Sequence, residues 1–191
     1  LKIANPEHAH YLQEEGRVLA AVHHPNLVRF HNVEPFEGGN LLVLEYVEGF
    51  TASLWAAAGD ALDPARFLMV ATGLLGALGA LHNAGWVHRD VKPDNVMLAE
   101  ADAAPKLLDV GLAARWPLEG DLAVGSIRYK DPLVYSENQW SPKNDLFSVF
   151  IVLYELLTGT HPFGGGSPEP NQRATIQREE FPDSFAPEVV E

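Results

Sequence analysis

A short polar segment near the middle of the chain, His88-Arg89-Asp90-Val91-Lys92-Pro93-Asp94-Asn95, carries three kinds of reactive side chain, and Asp109 follows fourteen residues after Asn95. An aspartate such as Asp90 can orient a hydroxyl group and accept its proton. A lysine such as Lys92 can neutralise charge on a phosphate. The amide of Asn95 and the carboxylate of Asp109 offer the oxygen ligands that Mg²⁺ prefers. Because phosphoryl transfer needs mainly positioning and charge neutralisation, this set of residues indicates that chemistry.

Phosphoryl transfer also needs a second cation for the α- and β-phosphates, which a buried carboxylate can hold. The sequence Asn5-Pro6-Glu7 predicts the start of a helix that runs to about residue 22. On this helix Glu14 faces away from the apolar side, whereas Glu15 shares one stripe with Leu12, Leu19 and Val22. A carboxylate on a buried face is costly unless a cation meets it. We therefore expect Lys2 to pair with Glu15.

These residues together resemble the eukaryotic-type protein kinase family. Residues 88–95 match its catalytic loop, H-R-D-x-K-P-x-N, and Asp109-Val110-Gly111 lies where the family has D-F-G. The lysine within the loop is typical of serine/threonine kinases, and the style of the motifs is bacterial. Lys2 matches the strand lysine of the family and Glu15 its helix glutamate. The resemblance implies that Lys2, held by Glu15, grips the α- and β-phosphates of ATP.

The resemblance assigns further residues to a nucleotide site. Leu44 matches the gatekeeper position at the back of the adenine pocket. Glu45 and Val47 match the hinge residues whose backbone groups contact adenine, and Met97 matches the residue that packs beneath the adenine ring. Asp145 resembles the start of the helix that anchors the catalytic loop.

The implied reaction is transfer of the ATP γ-phosphate to a serine or threonine hydroxyl of a protein, with ATP and Mg²⁺ required. Asp90 would orient and deprotonate the hydroxyl, and Lys92 would neutralise charge on the γ-phosphate. Asn95 and Asp109 would hold Mg²⁺. His88 is expected to be a core histidine with a structural role.

The implied fold is α+β and bilobal. Residues 1–46 would form a partial small lobe, with the third strand, the glutamate helix and the fourth and fifth strands of the family. Residues 47–191 would form a mainly helical large lobe. The resemblance covers residues 1–163, and neither the glycine-rich phosphate loop nor the C-terminal helices have a counterpart in this sequence. We therefore expect a fragment truncated at both ends that is inactive by itself.

Two departures from the family pattern leave a second interpretation open. Val110 replaces a phenylalanine that packs between the lobes. Leu133 stands where a glutamate forms an ion pair with a later arginine, so that ion pair is either rewired or lost. Both changes favour a pseudokinase that acts as a nucleotide-binding or interaction module, whereas the intact catalytic residues oppose it. A small-molecule phosphotransferase of similar fold is a third interpretation, which Lys92-Pro93 and the region around Ser126 disfavour.

The resemblance also suggests how the domain is regulated. Arg89 matches an arginine that often pairs with a phosphate on the activation segment. Between residues 109 and 133, Ser126 is the only serine or threonine, and it matches a position that contacts substrate. Our hypothesis is that Asp121 offsets Arg89 permanently, so that no activating phosphorylation is needed.

Capping and turn residues predict the remaining elements. Asp63-Pro64 predicts the start of a helix that ends at Gly85, and Gly159 predicts the end of an apolar helix that begins near Asp145. Three glycines spaced by three in the first of these helices, Gly73, Gly76 and Gly79, indicate close helix packing. The other expected elements are a turn at 36–40, a strand at 41–44, a connector at 45–49, a hairpin of 95–98 with 106–108, and an irregular stretch at 111–142.

Composition limits the classes of partner. The chain has 191 residues and a formal net charge of −13, which disfavours nucleic acid and anionic membranes as partners. The longest apolar run, residues 146–157, is shorter than the roughly 20 residues that cross a bilayer. No cysteine is present, which is compatible with a reducing compartment, and we expect a cytoplasmic protein. The expected partner is a protein substrate, and the sequence leaves the oligomeric state open.

Overall fold

The computed structural model describes residues 1–4, 9–36, 39–58, 62–120 and 123–164. Within these residues the helices are α1 (Ala9–Ala21), α2 (Ala52–Ala58), α3 (Pro64–Asn83), α4 (Leu133–Glu137) and α5 (Pro142–Thr158). The strands are β1 (Lys2–Ala4), β2 (Phe30–Phe36), β3 (Gly39–Leu44), β4 (Gly49–Thr51), β5 (Trp86–Val87), β6 (Val96–Ala99), β7 (Pro105–Leu107), β8 (Ala114–Arg115), β9 (Leu118–Glu119) and β10 (Gln139–Trp140). Small sheets and helices combine in one chain, which confirms the predicted α+β class.

The small lobe is a three-stranded antiparallel sheet in the order β1-β3-β2, with α1 packed on it. In its register Lys2 lies opposite Leu42. The predicted stripe of α1 is confirmed, because Leu12, Glu15, Leu19 and Val22 are all buried. The helix start predicted at residues 5–7 and the centre of the predicted turn, residues 37–38, lie outside the described residues.

The large lobe is built around α3 and α5, which pack against each other. The predicted caps of α3 are confirmed. The Asp63 side chain accepts a hydrogen bond from the Arg66 N–H at 2.9 Å, and Gly85 follows the helix with φ at 81°. Helix α5 begins at Pro142, three residues before the predicted start, because Ser141 and Asn144 form a capping box there. Its predicted end is confirmed by Gly159, with φ at 70°.

The three glycines of α3 have different surroundings. A Cβ at Gly73 would lie 2.5 Å from Pro105 Cγ, and one at Gly76 would lie 2.9 Å from His24 Cε1. Among the residues that the structure describes, none has an atom within 4 Å of the corresponding point at Gly79. The expected close packing is therefore confirmed for Gly73 and Gly76, whereas none of the described residues packs closely on Gly79. It brings α3 against the turn that leads from α1 to β2.

The connecting segments contain more regular structure than the sequence predicts. The hairpin is confirmed as β6 with β7, and strand β4 adds to its other edge through the pair Thr51 and Met97. The stretch 111–142 is wrongly predicted as irregular throughout. It contains β8, which pairs with β5, β9, which pairs with β10, and the short helix α4. These elements are too short to leave a periodic pattern in the sequence.

Helix α3 is also long and apolar enough, by length and composition alone, to cross a membrane. In the fold, residues along one side of α3, including Val70, Leu74 and Leu81, belong to the hydrophobic core. The predicted division of the chain at residues 46 and 47 falls in the connector between β3 and β4, and it stays a prediction.

Candidate functional site

Helix α5 anchors the segment 88–95 through Asp145, as the sequence predicts. The carboxylate of Asp145 is buried and accepts hydrogen bonds from the backbone N–H of His88 at 2.8 Å and of Arg89 at 2.9 Å. The same carboxylate lies 2.8 Å from His82 Nε2 on α3. Three contacts to one buried carboxylate fix the backbone of the segment relative to the core of the large lobe.

The His88 side chain is fully buried and forms a hydrogen bond with each of its ring nitrogens. Its Nδ1 accepts the Asp90 N–H at 3.3 Å, so the ring proton lies on Nε2, which donates to the Leu108 carbonyl at 3.2 Å. Both ring nitrogens are thus used by the protein. This geometry supports the structural role expected from the sequence.

The Asp90 carboxylate gathers three donors. Lys92 Nζ lies 2.7 Å and Asn95 Nδ2 3.1 Å from Oδ2, and the Ser126 N–H lies 2.8 Å from Oδ1. Lys92 Nζ also donates to the Ser126 hydroxyl at 3.0 Å. The structure therefore brings together the three predicted catalytic residues, Asp90, Lys92 and Asn95. It adds Ser126, which connects them to the segment that follows.

Lys2 joins Glu15 and Asp109. Its Nζ lies 2.6 Å from Glu15 Oε1 and 2.6 Å from Asp109 Oδ1. The cation expected beside the buried Glu15 is therefore confirmed as Lys2. Burial raises the pKa of Glu15 above its usual value, and the Lys2 ammonium offsets this effect only in part. Burial acts in the same direction on Asp109, but Lys2 and the Gly111 N–H outweigh it, so the Asp109 pKa lies below its usual value.

A cavity of about 380 Å³ opens between the two lobes beside this ion-pair cluster. Five residues that the sequence assigns to a nucleotide site line this cavity: Lys2, Glu45, Val47, Met97 and Asp109. Its remaining lining residues are Leu1, Val28, Leu44, Tyr46 and Leu108. Such a cavity, lined mainly by apolar side chains and by the ion pair of Lys2 with Asp109, suits a flat base with an attached anionic chain.

Sequence reasoning missed two of the apolar lining residues, Val28 and Leu108. Leu108 directly precedes the predicted residue Asp109, whereas Val28 lies two residues before β2 and next to no predicted site residue. Alternation along β7 and its continuation was the available signal for Leu108.

Glu45 lines the cavity, and its carboxylate is also hydrogen-bonded to other parts of the protein. Its Oε1 accepts from Lys106 Nζ at 2.6 Å and from the Arg29 N–H at 2.8 Å. Burial favours the neutral acid, but these two hydrogen bonds outweigh it and lower the pKa of Glu45. The backbone N–H of Glu45 donates to the Arg29 carbonyl at 2.9 Å. The backbone N–H and the carboxylate of Glu45 are thus both bonded to other groups of the protein.

Asn95 and Asp109 are the predicted oxygen ligands of Mg²⁺. Within the described part of the chain, no three His, Asp or Glu side chains form a metal-binding group. The Asn95 side chain uses its nitrogen to donate to the Asp90 carbonyl and carboxylate, which leaves its oxygen for a cation. The Leu108 N–H donates to the Asn95 carbonyl at 2.8 Å, which brings Asp109 next to Asn95. These two oxygen donors fit a hard cation whose other ligands are phosphate oxygens and water.

Arg89 lies at the edge of this site in a left-handed backbone conformation, with φ at 71°. Its Nε donates to the Leu112 carbonyl at 2.6 Å, and its guanidinium lies 5.8 Å from the centroid of the Trp140 ring. Asp121 lies outside the described residues, so the pairing of Asp121 with Arg89 stays a prediction.

Comparison with known proteins gives a consistent result. The family model described as the protein kinase domain matches residues 2–188. The chain is 33% identical over 189 residues to a probable serine/threonine-protein kinase of Streptomyces coelicolor, covering 93% of this chain and 28% of that protein. It is 34% identical over 157 residues to the serine/threonine-protein kinase PknL of Mycobacterium tuberculosis, covering 80% and 39%.

A third relative is the probable serine/threonine-protein kinase PknB of Lactococcus lactis, which is 30% identical over 159 residues. The match covers 81% of this chain and 25% of that protein. The chain thus spans between a quarter and two fifths of the length of these curated relatives.

Proposed function

The chain belongs to the protein kinase family, and from this membership we propose that the whole protein transfers the γ-phosphate of ATP to a serine or threonine hydroxyl of a protein. The observation that carries the proposal is the arrangement around Asp90. Its carboxylate is held by Lys92, Asn95 and the Ser126 N–H, beside a cavity that ends in Lys2 and Asp109. These are the positioning and charge-neutralising groups that phosphoryl transfer requires.

In the proposed reaction the acceptor hydroxyl oxygen forms a bond to the γ-phosphorus while the bond to the β,γ-bridging oxygen breaks. The hydroxyl proton passes to the Asp90 carboxylate, and ADP leaves. Lys92, which already lies 2.7 Å from Asp90, stabilises negative charge on the phosphoryl oxygens. The Ser126 N–H donates to Asp90 and the Ser126 hydroxyl accepts from Lys92, so the part of the chain around Ser126 lies beside both groups.

The ATP site of the proposal is the cavity between the lobes. The apolar side chains of Leu44, Val47 and Met97 would enclose the adenine ring, and Lys2 would contact the α- and β-phosphates. Mg²⁺, held by Asn95 and Asp109, would neutralise phosphate charge when bound. The ion pair with Glu15 keeps the Lys2 ammonium in place before ATP arrives.

The partner is a protein with an acceptor serine or threonine, and neither nucleic acid nor a membrane is required by the residues that form the site. We place the domain in the cytoplasm, where ATP is available to the cavity. Cell fractionation with an antibody against the chain tests this location, and recovery outside the cytoplasm would contradict it.

The function is tested by transfer of labelled phosphate from ATP with Mg²⁺, using the full-length protein that carries this chain and a mixture of protein acceptors. Asp90→Asn should lower the rate by roughly 10²–10⁴-fold, because the proton acceptor is lost. The matched control is Asp102→Asn, the same chemical change at an exposed residue in the turn between β6 and β7. Absence of label from serine and threonine with the unaltered protein would overturn the proposal.

A further inference from the structure

Two neighbouring side chains at the start of α5 are both buried, and each contacts a different segment of the site. Asp145 holds the backbone of the catalytic loop. Asn144 donates from Nδ2 to Asp131 Oδ2 at 3.1 Å. Its own Oδ1 accepts from the Ser141 N–H at 2.7 Å and from the Ser141 hydroxyl at 3.1 Å. One helix turn therefore holds both the catalytic loop and the chain around Asp131.

Asp131 is an unusual residue to find in the core. It is 0% exposed, and both carboxylate oxygens are hydrogen-bonded, Oδ2 to Asn144 and Oδ1 to the Leu133 N–H at 3.0 Å. Burying a carboxylate is costly unless such bonds compensate for the lost water. Asn144 of α5 therefore supplies one of the hydrogen bonds that compensate for the burial of the Asp131 carboxylate.

Asp131 ends a segment that contacts the catalytic residues, which we name the acceptor segment, residues 125–131. At its start the Ser126 N–H donates to Asp90. In its middle the Ser148 hydroxyl of α5 donates to the Tyr129 carbonyl at 2.7 Å. The contact of Asp131 with Asn144 completes a row of attachments along the segment.

We propose that Asp131 is a positioning residue of the acceptor site. Its bond to Asn144 sets the register of the acceptor segment against Asp90, because Asn144 and Asp145 are consecutive residues of one rigid helix. Leu133, which carries no charge, cannot hold this part of the chain through an ion pair. The inference rests on the proposed function for its kinetic consequence but not for its structural one.

The bond can be tested by exchanging its polarity. The Asp131 carboxylate accepts from two donors, the Leu133 N–H and Asn144 Nδ2. In Asp131→Asn the new side chain has only one oxygen, so its NH₂ group faces one of these donors and that hydrogen bond is lost. In Asn144→Asp two carboxylates face each other. In the double variant, Asn at 131 donates to Asp at 144, and the remaining oxygens still accept from Leu133 and Ser141. The exchange thus reverses the donor and the acceptor while it keeps the hydrogen bonds to Leu133 and Ser141.

The kinetic readout uses the full-length protein and an acceptor peptide selected with it from a library of serine- and threonine-containing peptides. Each single variant should raise the KM for the peptide roughly tenfold while the KM for ATP is unchanged, because one buried hydrogen bond is lost. The double variant should restore the peptide KM. Glu137→Gln, an acid-to-amide change at an exposed position of α4, is the matched control and should leave both values unchanged.

Hydrogen exchange of the amides in the acceptor segment gives a readout that needs no activity. Exchange should be faster in each single variant and normal in the double variant, so a protein that transfers no phosphate would overturn the proposed function without deciding this inference. A double variant with the peptide KM and exchange of a single variant would overturn the inference. If a single variant fails to fold, the comparison of the double variant with the unaltered protein decides in the same way.

Discussion

Glu14 and Glu15 are neighbours in α1 with opposite surroundings. Glu15 is 2% exposed and bonded to Lys2, whereas Glu14 is 55% exposed and pairs with Arg17 on the surface. We predict that Glu15→Gln raises the KM for ATP at least roughly tenfold, because the Lys2 ammonium loses a charged hydrogen-bond partner. Asp109, which also contacts Lys2, would then draw the ammonium away from the phosphates. Steady-state kinetics at varied ATP concentration measure the change.

The control for this prediction is Glu14→Gln, which makes the same chemical change one residue away. Exposed ion pairs contribute little, so this variant should keep the ATP affinity of the unaltered protein. Equal effects of the two substitutions would contradict a specific role for Glu15. A raised KM for the acceptor peptide in Glu15→Gln would argue instead for a general loss of structure.

At the residue scale, the sequence predicts the residues of the site better than the residues that hold them in position. The pairing of Lys2 with Glu15 follows from a carboxylate on an apolar stripe, which a helical wheel reveals. The contact of Asp131 with Asn144 leaves no such signal, because Asp131 lies between Lys130 and Pro132 in a stretch without periodicity. Only the three-dimensional path of the chain buries it.

At the scale of elements, α3 offers an internal comparison among its glycines. We predict that Gly73→Ala destabilises the fold by about 1–3 kcal/mol, because a Cβ would meet Pro105 Cγ at 2.5 Å, and a proline ring cannot turn aside. Gly79→Ala should stabilise it by about 1 kcal/mol, since alanine is the better helix former and no atom of the described residues lies within 4 Å of the added Cβ. Chemical denaturation of both variants measures the two free energies of unfolding.

These opposite signs separate close packing from helix propensity. Propensity alone would make both substitutions stabilising by similar amounts. A stabilised Gly73→Ala protein would therefore show that α3 can move away from β7 at little cost. Destabilisation by Gly79→Ala would indicate a contact at that position that lies outside the described residues.

Sequence reasoning locates best the helices whose ends carry characteristic capping residues. Asp63 and Gly159 mark helix ends because a cap and a left-handed residue have few substitutes. Strand β4 and helix α2 were not predicted, since β4 has three residues and exists through its pairing with β6. Their positions depend on contacts with distant parts of the chain, which a local pattern does not encode.

At the scale of the whole molecule, the two lobes are joined beside the cavity by more than the connector. The turn after α1 bonds to β7, with Leu107 N–H to the Asn26 carbonyl at 2.7 Å and Val28 N–H to the Leu107 carbonyl at 2.9 Å. Glu45 adds its bond to Lys106 on the same strand. The cavity wall is thus shared by both lobes, and its shape depends on how these contacts hold them.

The stability of the whole domain should also depend on pH through His161. Its Nε2 donates to the Arg128 carbonyl at 3.0 Å and its Nδ1 accepts the Phe163 N–H at 3.2 Å, so the ring is neutral in this arrangement. Burial lowers the pKa of His161 below 6.5, and the charge of Arg128 acts in the same direction. As the pH falls through 6.5, the unfolded chain takes up this proton first, so the free energy of unfolding falls.

We therefore predict that stability declines as the pH is lowered from about 6.5 towards the folded-state pKa, before most carboxylates titrate. His161→Gln removes the titrating group and should make this part of the stability profile shallower. His23→Gln, at an exposed histidine, should leave the profile as it is. Thermal unfolding between pH 5 and 7.5 measures the three profiles. If all three coincide, the pH dependence belongs to other groups, and the bonds of His161 to Arg128 and Phe163 do not depend on its charge.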